Sequence, residues 1–187
     1  MKFKQIILWG LLPASLALPM SASAEEGINF MYGLGVMGFG SSAQGPELDV
    51  SGSGELFVGI EERGWSVEHT RARTIKTGTS ITNLDYVASV SQTSLAYRTV
   101  ESDSGMYYKI RYGKADVDFD FSGAGSSMVK TNGASYGLGL GWRMGKTERF
   151  EMEASLYTSD TVDNSYFLSF RYLWGGTPKA DDFKRSR

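Results

Sequence analysis

Ten charged residues fall at positions where an extended chain would place them on one face: Glu55, Glu61, Glu68, Arg98, Lys109, Arg111, Arg143, Glu151, Glu153 and Arg171. Bulky apolar residues occupy the alternating positions around them, so the charges stand opposite an apolar surface. Carboxylates gathered with guanidinium and ammonium groups allow two chemistries. They can pair with one another and fill an interior, since an unpaired buried charge costs several kcal/mol, or they can line a selective pore. His69 is the only histidine, so acid–base catalysis would be built around it. Strand parity sets it opposite Glu68 and Thr70, and the chain holds no G-x-S-x-G, which favours an interfacial role. Asp116, Asp118 and Asp120 begin like a calcium loop. Phe121 stands where that loop needs glycine and no glutamate closes it, so a solvated strand end is the better reading. No catalytic, cofactor or metal site is assigned.

A charged face of this kind has to be carried on strands. The clearest is Ser165 to Trp174, with Tyr166, Leu168, Phe170, Tyr172 and Trp174 on one side and Phe167, Ser169, Arg171 and Leu173 on the other. The alternation recurs from Ile28 to Gly40, Glu55 to Glu61, Asp85 to Val100, Met106 to Gly113, Tyr136 to Met144 and Phe150 to Tyr157. It is weaker from Trp65 to Thr74. The fifth of these strands extends into the acidic run at Asp116. Ser41–Ser53, Ile75–Leu84 and Ser122–Ala134 read as long loops, and Thr158 to Asn164 leads into the last strand. Glu62-Arg63-Gly64, Glu101–Gly105 and Gly145–Glu148 read as short turns. Long and short connections therefore alternate, as in barrels with short periplasmic turns and long external loops.

Targeting and composition agree. Lys2 and Lys4, the apolar run Ile6–Leu18 and the small residues Ala22-Ser23-Ala24 predict an export signal over 1–24. A retained anchor is the alternative, but the run is shorter than the roughly 20 residues a bilayer requires, and Pro13 and Pro19 interrupt it. No later stretch is long enough, so residence in a membrane requires a closed barrel. The formal charge is −2, and loss of Lys2 and Lys4 makes the mature chain more acidic, which argues against a nucleic-acid partner. The chain has no cysteine, and its 23 glycines against 4 prolines, with many aromatic and hydroxyl residues, suit β-structure in one domain.

Alternation alone leaves open whether the apolar face points in or out, so a soluble lipocalin-like barrel is the structural rival. The polar face is rich in Gly, Ser and Ala, which leaves room in a narrow lumen for a few long side chains. The apolar face is bulkier than an eight-stranded interior could pack, so it is expected to face lipid. At this point Ile28 to Trp174 resembles the small OmpA/OmpX-type outer-membrane barrels. The closing Tyr166-x-Leu168-x-Phe170-x-Tyr172-x-Trp174 is similar to the C-terminal signal that the barrel-assembly machinery reads in that family.

The resemblance implies an all-β, eight-stranded antiparallel up-and-down transmembrane β-barrel over 25–174 in the cell outer membrane. A short periplasmic tail over 175–187 would follow, where family members of this size usually stop at the final aromatic, and there is no length for a peptidoglycan-binding domain. Implied partners are outer-membrane lipid, lipopolysaccharide and, during biogenesis, the assembly machinery, with no cofactor. Arg71, Arg73 and Lys76 lie where the third strand should leave the outer leaflet. They are candidates for contact with lipopolysaccharide phosphates or are merely solvated. The expected function is non-enzymatic, surface structure or loop-mediated interaction, around a lumen plugged by ion pairs. A small channel is the alternative. A lipid A-modifying enzyme is the third reading, because small barrels of that kind use a histidine with serine or acidic partners.

Overall fold

The computed structural model describes residues 28–41, 51–76, 78–79, 85–122, 128–159 and 164–176. The proposed signal, and the tail beyond residue 176, lie outside them. Eight long strands follow one another: β1 (Asn29–Ser41), β2 (Ser51–Glu62), β3 (Trp65–Lys76), β4 (Asp85–Arg98), β5 (Met106–Ser122), β6 (Met128–Arg143), β7 (Arg149–Thr158) and β8 (Ser165–Gly175). Gly78–Thr79 adds two residues of pairing beside Tyr86 and Asp85, prolonging the β3 side of β4. Each strand pairs antiparallel with the next, and β1 pairs antiparallel with β8, so the sheet closes on itself. Among the described residues no helix is long and apolar enough to cross a membrane.

The registers fix the barrel's dimensions. Phe30 pairs with Ile60, then in turn come Val67, Leu95, Tyr112, Tyr136, Leu156 and Tyr166, and Tyr166 pairs with Gly40. One circuit therefore returns ten residues further along β1. Ten residues of shear over eight strands correspond to a strand tilt of roughly 40° and a barrel radius of roughly 8 Å. Side chains can fill such a bore.

Burial settles the inside-out question. Leu34, Leu138 and Leu168 are 46%, 69% and 45% exposed, whereas Arg171 and Glu153 are each 1% exposed. Apolar side chains ring the outside and charged ones fill the inside, the reverse of a soluble barrel and what a lipid surround requires. At the end holding the short turns, aromatic pairs girdle the wall: Trp65 with Tyr97, Tyr32 with Trp174, and Trp142 with Phe150, their centroids 5.0, 5.6 and 6.2 Å apart. Amphipathic rings favour the interface between headgroups and hydrocarbon, so these rings mark one edge of the spanning band.

One loop expectation is corrected. Ser122–Ala134 is not a long loop, because β5 runs to Ser122 and β6 starts at Met128, with Asp120 opposite Met128 and Asp118 opposite Lys130. Val117, Phe119 and Phe121 on β5 and Val129 and Thr131 on β6 keep the period of two, and the outward Asp118 and Lys130 are an opposite-charge cross-strand pair. Similarly, β1 reaches Ser41, β2 begins at Ser51 and β3 reaches Lys76, so the other two loops are shorter than their composition implied.

Candidate functional site

The lumen has two halves. Toward the turns it is ionic. Glu61 on β2 receives Arg98 at 2.5 Å and Arg149 at 2.8 Å. Arg98 also reaches Glu101 at 2.7 Å, and Arg143 donates its Nε to the other oxygen of Glu101 at 2.6 Å. One step deeper, Lys109 lies 2.8 Å from Glu68 and 2.9 Å from Glu151, and the Tyr107 hydroxyl donates to Glu151 at 2.7 Å. At mid-height Arg171 contacts Glu55 at 2.6 Å and Glu153 at 3.3 Å, while Arg111 contacts Glu153 at 2.5 Å and donates to Ser155 at 2.6 Å. The Phe57 ring lies 5.5 Å from both Lys109 Nζ and the Arg171 guanidinium carbon, within cation–π range.

The other half is apolar. Met37, Phe39, Ala72, Tyr86, Ala88, Val90, Ala115, Val117, Phe119, Tyr157 and Phe167 form one buried cluster beneath the loops. Phe39 packs on Phe119 and Phe167 with centroids 5.4 and 5.1 Å apart. Two polar pairs lie within this half, Gln92 with Ser135 at 2.5 Å and Thr131 with Tyr157 at 3.0 Å.

All ten charged residues picked from the sequence meet in the ionic half: Glu55, Glu61, Glu68, Arg98, Lys109, Arg111, Arg143, Glu151, Glu153 and Arg171 each make an ion pair. Three members escaped sequence reasoning. Arg149 stands two residues before Glu151, within reach of the alternation run backward; Tyr107 lies in the Met106–Gly113 stretch on the parity of Lys109 and Arg111; Glu101 falls in a stretch that reads as a turn. The glycines of β6 were a signal too. A Cβ on Gly137 would come within 3.0 Å of Arg111 Nε, and one on Gly141 would collide with the ring of Tyr107. These glycines give the large side chains of β5 their space.

The remaining candidates lie on the outer wall or loop-ward. His69 Nδ1 bonds Thr93 Oγ1 at 2.9 Å on the outer face, while Glu68 and Thr70 are buried in the lumen. Asp116, Asp118 and Asp120 lie in the extended β5, opposite Asn132, Lys130 and Met128. Among the described residues no group of His, Cys, Asp or Glu is arranged to hold a metal. Arg71 and Arg73 are exposed on the outer wall, opposite Ser91 and Ser89. Lys76 ends β3, and its side chain lies outside the described residues.

No family model matches the sequence, and no curated protein matches it either. Solved structures do match. The Neisserial surface protein A is 12% identical, with a TM-score of 0.60 over 79% of this chain and 96% of its own. Ail, the attachment invasion locus protein of Yersinia pestis, in complex with the heparin analogue sucrose octasulfate, is 15% identical with a TM-score of 0.57 over 81% of this chain and all of its own. The N-terminal β-barrel domain of Pseudomonas aeruginosa OprF is 8% identical with a TM-score of 0.57 over 77% and 97%. At such identities the likeness is one of fold. The chain has the closed, eight-stranded, all-antiparallel fold of the small bacterial outer-membrane β-barrels.

Proposed function

We propose that the protein is a non-enzymatic barrel of the outer membrane whose lumen passes no solute and whose work is done at the surface, as structure or through its loops. The observation that carries this reading is the continuous filling of the bore, from Arg149 and Leu173 at the turn end to Phe119 and Tyr86 beneath the loops, each at most 2% exposed. Paired charges in the lower half and packed aromatic rings in the upper both work against a continuous water column. Export through the signal over 1–24, insertion by the barrel-assembly machinery through the aromatic β8, and a periplasmic tail belong to the same reading. So does contact with outer-membrane lipid and lipopolysaccharide. Ail binds a heparin analogue in its structure, which suits the view that barrels of this fold meet partners above the membrane.

The test is conductance. Purified, refolded protein in planar bilayers should give no stable single-channel openings, and steady high conductance would replace this reading with the channel. One observation favours that second reading: Glu55 Oε2, Ser169 Oγ and Arg111 Nε and Nη1 are buried without a hydrogen-bond partner among the described residues, a setting in which proteins hold water. The apolar half above them works against a continuous path. A lipid A-modifying enzyme is disfavoured because the imidazole of His69 faces outward with a threonine hydroxyl as its bonded partner. Exchange of the loops onto another barrel, read by surface binding, would separate the roles of wall and loops.

A further inference from the structure

The apolar belt is broken on one side. On β3, β4 and β5 the outward positions are taken by His69, Arg71 and Arg73, by Thr93 and Ser91, and by Lys114. These residues are neighbours: His69 pairs with Thr93, Arg71 with Ser91, and Thr93 with Lys114. They are also deep. Arg71 lies opposite Leu56 and His69 opposite Val58 on β2, and both apolar partners are more than half exposed, at 51% and 54%. With strands tilted, points of equal height shift by about one and a quarter residues per strand. That correction sets His69 level with Leu34, Leu138 and Phe170, and Arg71 level with Val36 and Leu168. Arg71 and His69 therefore lie at a height where the opposite wall carries exposed leucine, valine and phenylalanine side chains.

We propose that this notch seats the phosphate of one outer-leaflet lipid below the headgroup plane of its neighbours, thinning the leaflet on this side of the barrel. The inference rests on the reading that the barrel spans an outer membrane, and it adds a site centred on Arg71 with Arg73 and Lys114 as the charged contacts. A cation facing hydrocarbon is costly, and long side chains relieve the cost by reaching an anionic headgroup. Guanidinium groups suit phosphate oxygens, and the Ser91 hydroxyl lies between the strands that carry Arg71 and Asp116. Directly below the cations, Val67, Leu95 and Tyr112 are 49%, 51% and 58% exposed. A phosphate above with alkyl chains below is the profile of a lipid, whereas a protein partner would have to bring its own acid to the membrane interior. The carboxylates of Asp116 and Asp118 stand loop-ward on β5 and repel a phosphate back toward Arg71 and Lys114.

The test uses the full chain refolded into phosphatidylcholine vesicles containing phosphatidic acid as a phosphomonoester probe. After extraction into mild detergent, native mass spectrometry should find one phosphatidic acid retained per barrel, in preference to phosphatidylcholine. Combined Arg71→Gln and Arg73→Gln should lower that retention at least tenfold, while Lys130→Gln, higher on the wall, leaves it unchanged. A nitroxide at Val67→Cys should relax the phosphorus of the retained lipid at least as strongly as one at Ile75→Cys, which reports the depth. Equal retention of both lipids by the unmodified protein overturns the site without recourse to any variant. So does retention of inorganic phosphate in place of the lipid, or a second copy of the chain covering this face. Heat-modifiable migration on an SDS gel, measured alongside, tells loss of the site from loss of the barrel.

Discussion

The two halves of the lumen fill the same narrow bore with opposite chemistries. In the turn-end half each buried charged side chain depends on a partner from elsewhere in the barrel: Glu153 on β7 engages Arg111 on β5 and Arg171 on β8, and Arg171 in turn engages Glu55 on β2. In the loop-end half Phe39, Phe119 and Phe167 pack ring against ring and need no charged partner. The ionic half is therefore specific and fragile, because removing one member strands others as unpaired buried charges. The apolar half is forgiving, since a truncation costs transfer and cavity terms alone. Together they fill the interior of the barrel from the turn end to the loop end.

Five measurements probe that contrast, the first having the largest expected effect. Glu153→Gln, at the carboxylate shared by two arginines, should destabilise the barrel by about 3–5 kcal/mol in urea refolding into detergent or lipid. A loss below about 1 kcal/mol would mean that water relieves the network. Val117→Ala, in the middle of the apolar cluster, should cost about 2 kcal/mol by the same assay, with the heat-modifiable band retained. Gly141→Ala should cost about 1–3 kcal/mol by pushing on the Tyr107 ring that is tied to Glu151. Gly139→Ala should be milder, as its nearest obstacle is 3.2 Å away. Last, raising salt from 0.1 to 1 M should change stability by less than about 0.5 kcal/mol, because buried pairs are screened little. A strong salt dependence would show solvent in the ionic half and narrow the difference between the two.

How far the sequence could be read follows the same division. Charge is conspicuous, and parity assigned all ten chosen residues to the face that proves to be the lumen, because period two allows two sides and one was plainly apolar. Phe39, Phe119 and Phe167 were harder. An inward aromatic and an outward one look alike on a chain whose lipid face is also aromatic, so the sequence does not show the apolar half as a separate region, and Ser122–Ala134 reads as a loop. Height was not legible at all. It depends on the shear, which only the strand registers reveal, and the placement of Arg71 and His69 inside the belt rests on it. Arg149 and Glu101 were missed at strand ends, where a turn interrupts the alternation.

Closure between β1 and β8 has a further consequence, in time rather than in space. Met31 to Ser41 find their partners in Ser165 to Gly175, 124 to 144 residues away. The outer edge of β1 therefore has nothing to pair with until the last strand has been delivered. Hairpin contacts such as β2 with β3 are local and quick to form, but this seam carries the longest contact order in the molecule and a correspondingly late and slow closing step. Until then two bare edges of hydrogen-bonding groups, each flanked by exposed Tyr, Leu and Phe, are available to any other chain. Shortening or delaying β8 should therefore divert the chain to aggregate rather than yield a partial barrel.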